Sequence, residues 1–369
     1  MKYPYAKHLF DRCEISAALD ILSNKSIARG PTTTSFEKKF SEVLSHSYST
    51  ACSNGSAALE ISLRAAGIGY GDEVIVPSIT WVSTATSVSM VGAKPIFADI
   101  SLDNYCIDYD SIISNISDRT KAIIPVHFGG IAVDLEPIWQ LSTQYDLKII
   151  EDCAHALGGK YIDGRPIGSS SNSYSATFSM HPAKNITCGE GGIITTHHPE
   201  IHELLNLYRS GGVRRNALAG IHKANYELLT VSSNFHLTDI QSAIAIVQLD
   251  KLNSFVQARR YQTSLYNKIF SETPAIKTHA HPSTSAFNLY IILVPHDKRD
   301  HLFNSLNKLS IGAYYHYPPL HKSILYNSNI ILPNSEFYSR SALTLPLGPH
   351  LSELDIEYIA SCVISILSA

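Results

Sequence analysis

From about residue 50 the chain alternates short apolar, β-branched runs with stretches whose apolar residues recur at helical spacing. TAC (50–52) reads as a strand ending at SNG, after which SAALEISLRAAG carries a helical period and stops at Gly67. EVIVPS then predicts a strand and VSTATSVSMVG its helix. KPIFADI, KAIIPVH and LKIIEDCA predict three further strands, each ending in a polar residue, with LEPIWQLSTQY as the helix between the last two. Strands that alternate with helices pair in parallel through crossover connections, so the expected class is α/β with a central, mostly parallel sheet. Ligands of such sheets bind at the carboxyl edge of the strands, which is where those polar endings fall.

Further along, a helix over roughly 237–265 is long enough to lead out of a large domain. AFNLYIILV, the 305–325 region and a final LDIEYIASCVISIL helix suit a smaller α/β unit. The expected organisation is an N-terminal arm and large domain over residues 1–250 and a small C-terminal domain over 251–369. No internal repeat, low-complexity tract or Pro/Gly/Ser-rich linker interrupts it.

Composition narrows the functional classes. Hydrophobic residues make up 44% and charged residues 17%, the balance of an ordinary globular protein. A formal net charge of −3, with lysine and arginine scattered, provides no footprint for a nucleic-acid backbone or an anionic membrane. Residues 74–93 carry no charge, but a proline and several hydroxyls favour a buried strand followed by a buried helix over a membrane span. MKYPYAKHLF lacks the apolar core of a signal peptide. Cys13, Cys52, Cys106, Cys153, Cys188 and Cys362 form no CxxC pair and no zinc spacing, so they are expected reduced and mostly buried, no metal is expected, and the expected location is cytoplasmic.

The most informative segment is FSMHPAKNITCGEGGIITT, residues 178–196, where Lys184 stands between a strand end and a glycine-rich turn. Lysine can form a Schiff base once desolvation or a neighbouring cation has depressed its pKa. A lone lysine before a turn is ordinarily a surface residue; its company changes the reading. Asp152 ends the apolar run LKIIED, which sets a carboxylate at the ligand edge, where it could pair with a protonated ring nitrogen of a cofactor. SNGSAAL, residues 53–59, joins a flexible Gly55 to a hydroxyl at a helix start, an arrangement that gathers backbone N–H groups on a phosphate. Trp81 follows EVIVPS and could stack on a ring, while His155 and Ser179 fall on the same strand ends as Asp152 and Lys184. Neither G-x-G-x-x-G after the first strand nor G-x-x-x-x-G-K-[ST] occurs, which disfavours dinucleotide and P-loop sites.

In order along the chain, ARGPTTTSFE, SNGSAAL, ITWVSTA, VHFGG, IIEDCAHALGG, FSMHPAKNITCGEGG and SSNFHLTDIQSAIAIVQLDKL resemble the motif set of the DegT/DnrJ/EryC1/StrS sugar aminotransferases, from residue 29 to about 345. The resemblance implies the aspartate aminotransferase-like fold (fold type I) of pyridoxal-phosphate enzymes, and a homodimer with active sites at the subunit interface. By the same match Lys184 is the Schiff-base lysine, Asp152 the partner of the pyridine nitrogen, His155 a neighbour of the ring and Trp81 the stacking residue. Ser56, Ala57 and Ser179 would hold the phosphate, and Asn234 matches the asparagine that reaches it from the other subunit. YYHYPPLH (314–321) resembles the segment that faces the sugar, which makes Tyr317 and His321 candidate substrate contacts. TWVST, KNITC and NxxLTDI are especially similar to enzymes that aminate C4 of a UDP-4-keto pentose.

The expected reaction is therefore transfer of an amino group, from a donor such as glutamate, to a nucleotide-linked (UDP) 4-keto sugar, in the making of a cell-surface polysaccharide or glycan. Rivals of the same fold act on a 3-keto sugar or a keto-cyclitol, or are sugar dehydratases, in which the family has histidine at the lysine position; a non-catalytic pyridoxal-phosphate-binding regulator is a rival of another kind. Ser232, His236, Leu237 and the Gly211-Gly212 pair depart from the family pattern near the expected substrate and partner contacts, and bear on the identity of the sugar.

Overall fold

A computed structural model of the chain describes residues 1–24, 26–45, 48–215, 226–278 and 282–368. Two helices, α1 (Arg12–Asn24) and α2 (Pro31–Val43), precede the alternating region. There β1 (Tyr48–Cys52), α3 (Gly55–Ala65), β2 (Glu73–Pro77), α4 (Val82–Met90), β3 (Lys94–Ala98), α5 (Tyr109–Asn115), β4 (Thr120–Ile123), α6 (Glu136–Tyr145), β5 (Lys148–Asp152), β6 (Ser175–Ser179), β7 (Gly192–Thr196) and α7 (Pro199–Arg209) follow in turn. The strands form one seven-stranded sheet in the order β1-β7-β6-β5-β4-β2-β3. From β6 to β3 every neighbour is parallel, and β7 runs against both β1 and β6. The carboxyl ends of β1, β2, β5 and β6 therefore share one edge.

The uncharged run 74–93 is β2 followed by α4, as its hydroxyls suggest, although α4 is only partly buried: Thr84, Ala85, Ser87 and Val88 face inward while Val82 and Met90 are exposed. VHFGG becomes a tight turn in which Gly129 and Gly130 take positive φ. A Cβ on Gly130 would lie 2.9 Å from the Phe287 nitrogen and 3.0 Å from the His155 carbonyl oxygen, so only glycine lets the C-terminal region approach the end of β5.

A small two-stranded ribbon, β8 (Val213–Arg215) and β9 (Tyr226–Leu228), precedes α8 (Asp239–Phe270). Thr238 and Gln241 close a capping box at the start of α8. The expected division at 250 falls inside this continuous helix. Its Leu249, Leu252 and Val256 join the core around the large sheet, whereas Tyr266 and Phe270 join a second core. That second core draws on β11 (Tyr290–Leu293), α9 (His296–Lys308), β12 (Ala342–Leu345) and α11 (Glu353–Ser368), with β10 (Lys277–Thr278), β11 and β12 pairing antiparallel, while α10 (Pro333–Ser341) sends Tyr338 into the first core. In β11, Ile291 and Leu293 pack into the first core and Tyr290 and Ile292 into the second. A strand buried on both faces is what a continuous apolar run such as YIIL encodes.

Candidate functional site

Above the carboxyl edge lies a cavity of about 520 Å3. Residues from four strand ends line it: Ser56 after β1, Trp81 after β2, Asp152 and His155 from β5, and Ser179 and Lys184 after β6. Tyr317 closes it from the C-terminal region. Most of the residues singled out in the sequence thus share one chamber, because parallel pairing brings their strand ends together.

Lys184 is half-buried, and its Nζ makes no hydrogen bond or ion pair with any described residue. Burial lowers its pKa to about 8, against the opposing attraction of the Asp152 charge. It is an amine held close to its neutral, nucleophilic form. Asp152 is buried, with Oδ2 accepting from Thr84 Oγ1 at 2.9 Å and Oδ1 from the Ala154 amide at 3.1 Å. Burial pushes its carboxyl upward, while these two donors and the Lys184 charge pull the other way. Behind it, His127 accepts the Val133 N–H on Nδ1 at 3.0 Å, so its Nε2–H donates to Glu151 at 2.8 Å.

His155 is held neutral: burial, then the Lys184 charge and His316, place its pKa well below the usual histidine range. Its Nδ1 accepts the Gly129 N–H at 3.3 Å, which leaves the ring proton on Nε2, facing Tyr317 Oη at 3.4 Å. With its oxygen accepting there, the Tyr317 hydroxyl has its own proton free to donate into the cavity. Trp81 is 52% exposed at the N-terminus of α4, its ring 5.7 Å from that of Tyr317.

At the other end, α3 begins. Its first amides, of Gly55 and Ser56, have no carbonyl one turn back to bond, and they point where an anion is favoured. A Cβ on Gly55 would come within 2.9 Å of Ser179 Cβ and 3.2 Å of its Oγ, so this glycine opens the cradle between α3 and β6. Ser56 Oγ is 2.5 Å from Ser83 Oγ. Ala57 departs from expectation: its amide donates to the Asn54 side chain at 2.8 Å as the helix cap, and the residue is buried off the cavity wall. An amine, a buried carboxylate and an anion cradle around one chamber fit pyridoxal phosphate, with Lys184, Asp152 and the Gly55–Ser179 cradle as the groups that would hold it.

His321 also departs from expectation. It is fully buried, with Nδ1 2.6 Å from Ser78 Oγ and Nε2 3.5 Å from Glu336, and it does not line the cavity. Leu320 donates its N–H to the Ser78 carbonyl, and this turns the following side chain toward β2. Asn234 is exposed, lies off the cavity wall, and accepts the His236 N–H on Oδ1 at 3.0 Å. Sequence reasoning missed Tyr5, Tyr314 and His316. Tyr5 reaches the cavity because the N-terminal segment pairs beside Ile311, and its ring stacks on that of Tyr314 at 5.2 Å. His316 is buried against Thr344 Oγ1 at 2.9 Å, and burial with the Lys184 charge lowers its pKa to about 3. The YYHYPPLH wording held a signal for Tyr314 and His316, whereas nothing local marks Tyr5.

Residues 10–364 match the DegT/DnrJ/EryC1/StrS aminotransferase family. Among solved structures, Helicobacter pylori PseC, an aminotransferase involved in the biosynthesis of pseudoaminic acid, superposes with a TM-score of 0.92 at 28% identity, covering 99% of each chain. The sugar aminotransferase Spr1654 from Streptococcus pneumoniae, described as putative and solved in its PLP form, gives 0.91 at 28% identity, over 99% of this chain and 98% of that one. DesV of S. venezuelae, in complex with a ketimine intermediate, gives 0.88 at 30% identity, over 96% and 94%. The chain belongs to the DegT/DnrJ/EryC1/StrS aminotransferase family and is a pyridoxal-phosphate-dependent sugar aminotransferase.

Proposed function

We propose that the sugar aminated is a UDP-linked 4-keto sugar, that the new amine is at C4, and that the donor is an amino acid, glutamate, in the making of a cell-surface polysaccharide or glycan. The observation that carries the reading of the site is the joint presence of Lys184 and Asp152 on one cavity wall. The wording of TWVST and KNITC supports the C4 reading, and the likeness to an aminotransferase of pseudoaminic acid biosynthesis supports a sugar as the amine acceptor.

In this reading Lys184 holds the cofactor and afterwards, as a free amine, moves the proton at the carbon that gains or loses nitrogen. Pyridoxal phosphate, when bound, supplies the electron sink for that carbon. Asp152 supports a positive charge on the ring nitrogen, His155 flanks the ring as a neutral imidazole, and Trp81 covers its face. Gly55, Ser56 and Ser179 hold the phosphate. Tyr317 donates a hydrogen bond to the sugar, with Tyr5 and Tyr314 as further walls of that end. Asn234 serves the site of a second copy, in a homodimer with shared active sites. The location we assign is cytoplasmic; among the described residues no helix is long and apolar enough to cross a membrane.

The test is a panel of UDP-, dTDP- and GDP-linked keto sugars incubated with glutamate and read by mass spectrometry. Amination confined to the UDP-4-keto members is the expected result. Amination of a 3-keto sugar alone, or of none with glutamate while another donor works, overturns the corresponding part.

A further inference from the structure

At the cavity wall, which Thr80 and Asp152 both line, Thr80 Oγ1 lies 2.8 Å from Thr84 Oγ1, which lies 2.9 Å from Asp152 Oδ2. All three residues are buried, Thr84 completely. We propose that Thr80 and Thr84 form a directional hydroxyl chain that positions the Asp152 carboxylate and supports its negative charge beneath the cofactor ring.

The direction follows from counting protons. A hydroxyl has one proton to give. Thr84 gives its proton to the carboxylate, so the Thr80 proton goes to Thr84, and the two dipoles point the same way. The Ala154 amide, an obligatory donor, holds the other carboxylate oxygen at 3.1 Å. Each oxygen then keeps a lone pair for the cofactor.

The chain is needed because burial works against the charge. Desolvation pushes the Asp152 carboxyl upward, toward the neutral form that could not support a pyridinium. The titratable groups that face it are Lys184 from the loop after β6, His127 from the turn after β4, Cys153 beside it on the chain and Tyr317 from the C-terminal region. Of these Lys184 bears a positive charge in the free protein below about pH 8, and once it carries the cofactor that charge comes and goes with the pH that the visible band reports. The hydroxyl chain and the Ala154 amide remain throughout.

A reversed chain is the physical alternative: a protonated Asp152 would donate to Thr84, and Thr84 to Thr80. The two directions respond oppositely to loss of the Thr84 hydroxyl. In the direction proposed, Asp152 loses a donor and ionises less readily; in the reverse it loses an acceptor and ionises more readily.

This inference rests on the assignment of Asp152 to the cofactor ring, and the experiment separates the two. Thr84→Val, Thr84→Ser and Asp152→Asn are prepared with pyridoxal phosphate, and the pH midpoint of the visible band of the bound cofactor is measured beside turnover and the thermal midpoint of the apo-protein. A positive charge on the ring nitrogen lowers that midpoint, so weaker support raises it. Thr84→Val is expected to raise it by about half a unit or more and to slow turnover about tenfold. Thr84→Ser is expected to restore both, while the apo-protein midpoints stay within a few degrees of one another. An unchanged or lowered midpoint in Thr84→Val, or a serine variant that restores neither, overturns the inference. If Thr84→Val does not fold, Thr80→Val decides, with a smaller rise expected and none overturning it. Asp152→Asn must raise the midpoint whatever the threonine variants do; if it does not, the assignment of Asp152 itself fails.

Discussion

The Asp239 carboxylate accepts the amide of Gly30 at 2.8 Å, across 209 residues of sequence. The same carboxylate takes the amides of Thr32 and Thr33 and the Thr33 hydroxyl, and so caps α2 from outside it. A Cβ on Gly30 would stand 2.8 Å from Asp239 Oδ2, which is why glycine precedes the proline there. Two motifs at opposite ends of the large domain, ARGPTTTSFE and LTDIQS, are halves of one clamp.

Removing the charge should loosen that clamp. Asp239→Asn is expected to cost about 1–3 kcal/mol at neutral pH, read from the urea midpoint. Burial pushes the Asp239 carboxyl up, but the Thr33, Thr32 and Gly30 donors outweigh it and the pKa is lowered. The stabilisation is therefore present above the unfolded carboxyl value, roughly pH 4, and is lost as pH falls through the lower folded value. The gap between the two proteins should narrow in acid; a gap that widened would contradict the assignment.

Lys184 makes a kinetic prediction. With a pKa of about 8, the rate at which apo-protein captures pyridoxal phosphate should rise about tenfold per pH unit below that value and level off above it. Visible absorbance after mixing reads the rate. A rate still climbing through pH 10 would mean an ordinary exposed lysine. Lys184→Ala should show neither covalent capture nor turnover.

The phosphate cradle is tested at Gly55. Its Cβ would meet Ser179 Cβ at 2.9 Å, so α3 and β6 must shift apart, and Gly55→Ala should raise the cofactor dissociation constant about tenfold or more, alongside some loss of apo-protein stability read from the thermal midpoint. Wild-type affinity in this variant would remove the cradle from the site.

Tyr317→Phe deletes only the hydroxyl whose proton is free to enter the cavity. The expected result is a drop of about tenfold in kcat/KM for the sugar, with cofactor affinity retained. Equal loss of cofactor binding would place Tyr317 in the packing of the chamber instead of on the substrate.

Much of this was legible along the chain. Lys184, Asp152, Ser56 and Ser179 are marked by strand endings, and parallel pairing sends all such endings to one edge. The α8 cap at Thr238 lies beside the expected helix start, while the end at Phe270 extends past 265 because Tyr266 and Phe270 gain a second core to bury in.

Local pattern alone determined the α/β class and the strand edge at which the singled-out residues gather, because period and strand endings are properties of neighbours in sequence; Lys184 stood out through the company of Asp152 and the ordered motifs. Tertiary structure decided what depends on side-chain direction and on partners far along the chain. It turned His321 into the core through the Leu320–Ser78 contact, spent the Ala57 amide on Asn54, and drew Tyr5 into the cavity by pairing the N-terminal segment beside Ile311. A motif names the residue; the hydrogen bond made by its neighbour decides which way the side chain faces.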